Sequence, residues 1–159
     1  MIKTSNYNNC NTNKYKVYSI SRDKGKDANY IGDCFLSLAP KKDFFKTWRH
    51  NRGLIDEKTN NEYYIREFYE QVLKHLNPEE TYQKLDNSIL LCYEKHNEFC
   101  HRHIIAAWFE LTLGFEVLEV KIDNLKEEVL DRPEYIKEYL NEIMRSDKKV
   151  VEKQMIKKL

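Results

Sequence analysis

Seven residues between positions 92 and 103 could do chemistry: Cys92, Glu94, His96, Cys100, His101, Arg102 and His103. Cys100, His101 and Arg102 stand together at the start of an amphipathic helical stretch that Gly114 closes, and Cys92 ends the apolar run 88–92. A thiol at a helix start beside a cation has its thiolate favoured by the helix dipole and by the charge, so Cys100 is expected to be a nucleophile or a redox centre. The alternative is a small buried residue that packs the helix onto the sheet. For Cys92 packing is the stronger expectation, and a reversible Cys92–Cys100 bridge stays open, since spacing does not fix the sulfur separation. Histidine titrates near neutral pH, which makes His101 a candidate general acid or base. Glu94 is the carboxylate placed to act as a base or to accept from a ligand hydroxyl.

Arg102 breaks the usual preference for acids in a first helical turn, at a cost of about a few tenths of a kcal/mol. An anionic ligand held by the guanidinium fork and the free helix N–H groups would offset this. An ion pair with Glu94 or Glu98 would do the same by pinning the loop. The same residues allow one more arrangement: Cys92, His96, Cys100 and His103 form C-x3-H-x3-C-x2-H, a Cys2His2 set of the kind that holds zinc. That set requires a strand-terminal ligand to converge with helical ones, and the expectation is no metal and no cofactor.

The elements that must position these groups can be read from the pattern. Residues 88–92 (SILLC) form a buried strand, 93–97 a polar loop, and 100–113 the helix. A strand feeding a helix N-terminus builds a crevice at the strand's carboxyl end, where α/β folds place ligands. Residues 15–20 and 115–122 alternate and read as further strands, with a short hidden one around 33–38. Ser21 and Arg22 open a loop directly after the first of these, which makes them candidate ligand contacts. Helices are expected after Pro40, at 62–76 (Ile65, Phe68, Tyr69, Val72, Leu73 and Leu76 on one face), at 78–85 and at 133–144. No tight hairpin signal separates the strands. The fold class is therefore α/β, a small Rossmann-like three-layer domain with a mostly parallel sheet flanked by helices. Residues 1–14, rich in Asn, are expected as a flexible lead-in, 15–145 as a single domain, and 146–159 as a Lys-rich helix or tail.

A family resemblance follows from these residues. The run LLCYEKHNEFCHRHIIAAW resembles the signature of the family catalogued as domain of unknown function 488, at Cys92, Glu94, Cys100, His101 and Arg102. YSISR (18–22) and LAP (38–40) are also similar to one branch of it. The resemblance covers roughly residues 15–122 and implies a compact Rossmann-like fold but no established reaction. His96 and His103 fall outside the signature.

Composition sets the remaining bounds. The 159 residues are 33% charged and 41% hydrophobic, and no apolar run approaches the roughly 20 residues of a membrane span. Four scattered cysteines and a polar start without an apolar signal core suit a reducing, cytoplasmic setting and no membrane. Residues 1–52 carry eleven Lys/Arg against four Asp/Glu, a balance of +7, and the rest sixteen against twenty-two, a balance of −6. Such asymmetry points the N-terminal third at something anionic. In the basic run 41–52 helical spacing turns Phe44, Phe45 and Trp48 inward and leaves Lys42, Lys46 and Arg49 wet. There is no glycine-rich dinucleotide loop, no G-x-x-x-x-G-K, and no Cys and Arg five residues apart as a phosphatase loop needs. The sequence reading is a site for a phosphate-bearing small molecule or nucleic acid, with hydrolase or transferase chemistry open. Its rivals are a non-catalytic module whose signature residues lock the loop, and a zinc protein.

Overall fold

The computed structural model describes residues 1–158. The chain opens with β1 (Lys3–Asn6), a 3-10 turn, β2 (Cys10–Asn11) and β3 (Lys16–Ser19). Three helices follow, α1 (Lys42–Asn51), α2 (Glu57–Gln71) and α3 (Pro78–Leu85), before β4 (Ser88–Cys92) and α4 (His101–Leu113). A hairpin, β5 (Leu118–Asp123) and β6 (Lys126–Leu130), leads into the long α5 (Glu134–Lys157). The strands form one sheet in the order β2-β5-β1-β4-β3, all parallel, with β6 antiparallel on β5. This is the expected α/β class, a mostly parallel sheet flanked by helices.

β4 is buried along its whole length because it has a neighbour on each side and a covered face above and below. Leu90 and Cys92 join the larger core with the helices, while Ile89 and Leu91 meet Val120 and Ile122 on the other face under Tyr7, Tyr15 and Tyr30. The alternation is the period of two that a strand imposes.

The N-terminal segment corrects the sequence reading. Part of the expected flexible lead-in is β1, hydrogen-bonded between β4 and β5. Its Thr4, Ser5 and Asn6 are polar yet buried, because each side chain has a partner. Thr4 Oγ1 donates to Glu119 Oε1 at 2.7 Å, and Ser5 Oγ to the Val120 carbonyl at 2.6 Å. Asn6 Oδ1 accepts from the Asn9 amide at 2.8 Å, and Asn6 Nδ2 donates to the Glu94 carbonyl at 3.3 Å, tying β1 to the loop after β4. Satisfied buried polar groups of this kind are what a polar central strand requires.

Two further differences concern short strands, and the Lys-rich tail takes the helical one of its two expected forms. The strand expected at 33–38 is a single bridge from Ser19 to Cys34, followed by a 3-10 turn at Leu36–Leu38. The hairpin β5–β6 turns through Asn124-Leu125, with Asn124 at φ 56°, a left-handed position that asparagine tolerates. Finally α5 continues through the Lys-rich tail: Ile136 and Leu140 are buried, Asp147 binds the Tyr69 hydroxyl and Lys74 at 3.0 Å each, and the last turns are exposed. The final residue of that tail, Leu159, lies outside the described residues. Among the described residues no helix is long and apolar enough to cross a membrane.

Candidate functional site

Parallel strands end on the same side, so β3 and β4 deliver their following residues to one edge of the sheet, in front of the start of α4. There Ser21 and Arg22 from the loop after β3 meet Cys92, Tyr93 and Glu94 from β4, and Cys100 and His101 from α4, around a cavity of about 220 Å³. Its walls are aromatic. Phe45 and Trp48 come from α1, Tyr64 from α2, and Phe99 from the loop. Trp48 and Phe99 both pack on Tyr64, with centroids 5.3 and 5.2 Å apart, and Trp48 Nε1 donates to Asn61 Oδ1 at 3.0 Å.

The floor is a hydrogen-bonded chain. His101 Nε2 lies 2.9 Å from the Ile20 carbonyl, which can only accept, so Nε2 carries the proton in the neutral ring. Nδ1 is then the lone-pair nitrogen, and it stands 3.4 Å from Cys92 Sγ, placed to accept from the thiol. A nucleophile, a base within reach and a third group that orients the base make up the arrangement that thiol catalysis needs. Cys92 Sγ also lies 3.7 Å from Glu94 Oε2 and accepts from Ser21 Oγ at 3.7 Å. Ser21 is held in turn by the Tyr7 hydroxyl at 2.8 Å.

Electrostatics act on the Cys100 thiol and on the acid. Burial, then the neighbouring Cys92 thiol, push the Cys100 thiol up to about 12, and Arg102 and His101 oppose this less strongly. The expectation of a Cys100 thiolate is therefore corrected: desolvation outweighs the helix dipole and the cation. Burial and the nearby Cys100 raise the Glu94 carboxyl to about 7, so a protonated fraction persists at neutral pH. Cys100 is the N-cap residue of α4 and makes no side-chain cap bond; its carbonyl accepts from the His103 amide at 3.0 Å, which leaves the His101 and Arg102 amides for other acceptors.

Arg102 does not line this cleft. It is 0% exposed and forks onto Glu119 of β5, with Nε at 3.0 and 3.2 Å and Nη2 at 2.9 Å from the carboxylate oxygens. Its partner is neither Glu94 nor Glu98, and its role as a ligand contact is withdrawn. The Cys2His2 set is split as well. His96 Nδ1 binds the Asp131 carbonyl at 2.8 Å, while His103 is buried beside Arg132 and held well below its ordinary pKa by burial and then by the charges of Arg102 and Arg132. Among the described residues, the metal-type ligand atoms that do converge are those of Cys92, Cys100 and His101, all within 4.8 Å of one another.

Of the sequence candidates, Cys92, Glu94, Cys100, His101, Ser21 and Arg22 meet at one cleft. Sequence reasoning missed the Ile20 carbonyl, which carries no side-chain signal, and the Tyr64 and Phe99 walls. Helical spacing turns Trp48 and Phe45 toward the core; both also line the cavity, Trp48 buried and Phe45 half-buried. Tyr93 hydrogen-bonds to Asp23 and closes one rim. A family model described as DUF488-N3a, active DUF488-N3 subclade, matches residues 3–113, more than two thirds of the chain, from β1 to the end of α4. Searches of the curated proteins and of the solved structures give no match.

Proposed function

Because the chain belongs to the DUF488 family, in the subclade described as active, we propose that its cleft is a thiol-based active site for a ring-bearing, phosphate-bearing ligand. The observation that carries the proposal is the chain Cys92–His101–Ile20 at the floor of an aromatic cavity. His101 Nδ1 takes the Cys92 proton as Sγ bonds to an electrophilic carbon of the ligand. The bond to the leaving group breaks, and protonated Glu94, within reach of the same sulfur, gives its proton to the leaving group. Amides at the start of α4 stabilise negative charge that develops on the ligand. The hydroxyl of water or of a second acceptor then bonds to that carbon and gives its proton to Glu94, the carbon–sulfur bond breaks and Cys92 recovers its proton from His101, which gives hydrolysis or transfer.

The cavity supports the ligand class. At about 220 Å³ it is smaller than the roughly 300–1,000 Å³ of drug-sized pockets, so it admits one ring system. Phe45 at the mouth is flanked by Arg22 and Arg49, whose guanidinium carbons lie 5.8 and 5.9 Å from its ring centre. A nucleotide would place its base between the aromatic walls and its phosphate on those two arginines. Isothermal titration with a panel of nucleoside monophosphates tests this: the wild type binds at least one, and Arg22→Ala with Arg49→Ala weakens it at least tenfold. No binding by any member of the panel would remove the nucleotide from the proposal.

One observation favours a second reading. The Cys92, Cys100 and His101 ligand atoms stand close enough to share an ion, and the Ile20 carbonyl orients the histidine as carbonyls commonly do behind metal ligands. One equivalent of zinc in the purified protein, lost on Cys92→Ser, would put this reading first.

A further inference from the structure

We infer that the cleft takes its ring from a single-stranded nucleic acid, whose backbone runs along the outer face of α1. The inference rests on the reading of the cleft as a site for a ring-bearing, phosphate-bearing unit, and it names the polymer rather than the free nucleotide as the source of that unit. Six cations on and beside α1 have no carboxylate partner: Arg22, Lys41, Lys42, Lys46, Arg49 and Arg52 are exposed, and the ion pairs among the described residues involve none of them; of the six, Arg22 and Arg49 line the cleft. Lys42, Lys46 and Arg49 fall at i, i+4 and i+7, which puts them one above another on one helix face, about 5–6 Å apart. Asp43 is the one acid in that helix. A single phosphate would engage Arg22 and Arg49 and leave the lysines and Arg52 without a role. A run of phosphates uses the whole stripe.

A second groove points the same way. It adjoins the cleft, sharing Trp48, Glu94 and Phe99 with it, and has a volume of about 560 Å³. Arg52 covers the Trp48 ring there at 5.2 Å, a cation over an aromatic face of the kind on which single-strand bases stack. Asn60, 2% exposed, lines this groove; its Nδ2 donates to the Trp48 carbonyl at 2.9 Å, but its Oδ1 has no partner. An acceptor left unsatisfied at that depth is matched by an amino group on a neighbouring base. Glu57 and Glu98 also line the groove, so it suits a base and repels a phosphate, which keeps the backbone on the α1 face. A single strand is the favoured form, because a ring enters the cavity only when it is unstacked and unpaired, and a duplex adds the cost of extruding it.

The test uses the whole protein with a fluorescein-labelled ten-nucleotide strand, as DNA and as RNA, its duplex, nucleoside monophosphates, and a polyglutamate peptide. Anisotropy should show the single strand binding at least tenfold more tightly than its duplex or any monophosphate, with an affinity that falls as salt rises, by a log–log slope of about −0.7 per phosphate held. Lys42→Glu with Lys46→Glu should cost the strand at least tenfold and flatten that slope; Asn60→Ala should weaken strands but not monophosphates. Protection of Cys92 from iodoacetamide is read in parallel. If monophosphates protect Cys92 but the strand binds no more tightly than they do, the strand inference fails and the site reading stands. If neither protects Cys92, the site reading itself fails. Binding of polyglutamate in preference to the strand, or a strand affinity indifferent to the lysines, would also overturn the inference.

Discussion

Arg102→Ala should unfold the protein at a much lower temperature, with no involvement of any ligand. Arg102 and Glu119 are 0% and 1% exposed, and three contacts of 2.9 to 3.2 Å join them. Thr4 adds a fourth hydrogen bond to the same carboxylate at 2.7 Å, from the central strand β1. Removing the guanidinium leaves a buried carboxylate without its counter-charge, which costs about 3–5 kcal/mol. Unfolding entropy near 2.1 cal/mol/K per residue gives roughly 0.33 kcal/mol/K for a chain of this length, so the melting temperature should fall by about 9–15 °C. Arg102→Lys keeps the charge but not the fork and should lose part of that. Arg102→Met combined with Glu119→Leu removes both charges and should recover most of the loss. Thermal and urea denaturation followed by circular dichroism, at several phosphate concentrations, measures all three variants. An Arg102→Ala protein within about 1 kcal/mol of wild type, or a double variant as unstable as the single ones, would refute the reasoning.

Other predictions follow from single groups. Glu94 has a folded-state pKa raised from 4.5 to about 7, so the fold favours its protonated form; that contribution is complete below about 4.5 and is lost as pH rises through about 7. Glu94→Gln mimics the protonated form, so its stability relative to wild type should change little at pH 4 and increase from pH 5 to pH 8, as denaturation at each pH will show. Asn124 turns the β5–β6 hairpin at φ 56°, so Asn124→Ala should destabilise by about 1–2 kcal/mol while Asn124→Gly is close to neutral in the same melts. Elemental analysis of protein purified without chelators should find no stoichiometric zinc. Asn61→Leu removes the acceptor of the Trp48 indole and the donor to the Tyr135 hydroxyl; it should lower stability by about 1–3 kcal/mol and loosen the cavity wall, seen as a shift in tryptophan emission.

What the sequence revealed depended on whether a residue's role is local. Ser88–Cys92 was legible because a strand covered on both faces must be apolar throughout, and α4 because Gly114 terminates an apolar periodic run. β1 was not legible: KTSN carries no apolar pattern, and its burial is made possible by partners at Glu119, Val120 and Glu94, far along the chain. The Arg102–Glu119 pair was hidden for the same reason, since Glu119 lies in an alternating strand where a charge normally faces water. The site residues were found because they cluster in sequence, but their division of labour was not. How far burial raises the Cys100 thiol, and which nitrogen of His101 carries its proton, depend on tertiary surroundings, the Ile20 carbonyl among them, that the local pattern does not encode.

The central claim, that His101 activates Cys92, is tested most directly by alkylation rates at the individual cysteines. Wild type and His101→Asn are treated with iodoacetamide at neutral pH, quenched at intervals, and mapped by mass spectrometry. Half-exposed Cys34 supplies the rate of an ordinary thiol. The account predicts that Cys92, although only 4% exposed, reacts faster than Cys34 and at least tenfold faster than Cys100, and that His101→Asn lowers the Cys92 rate at least tenfold while Cys34 is unchanged. Preferential alkylation of Cys100, or a Cys92 rate indifferent to His101, would contradict it.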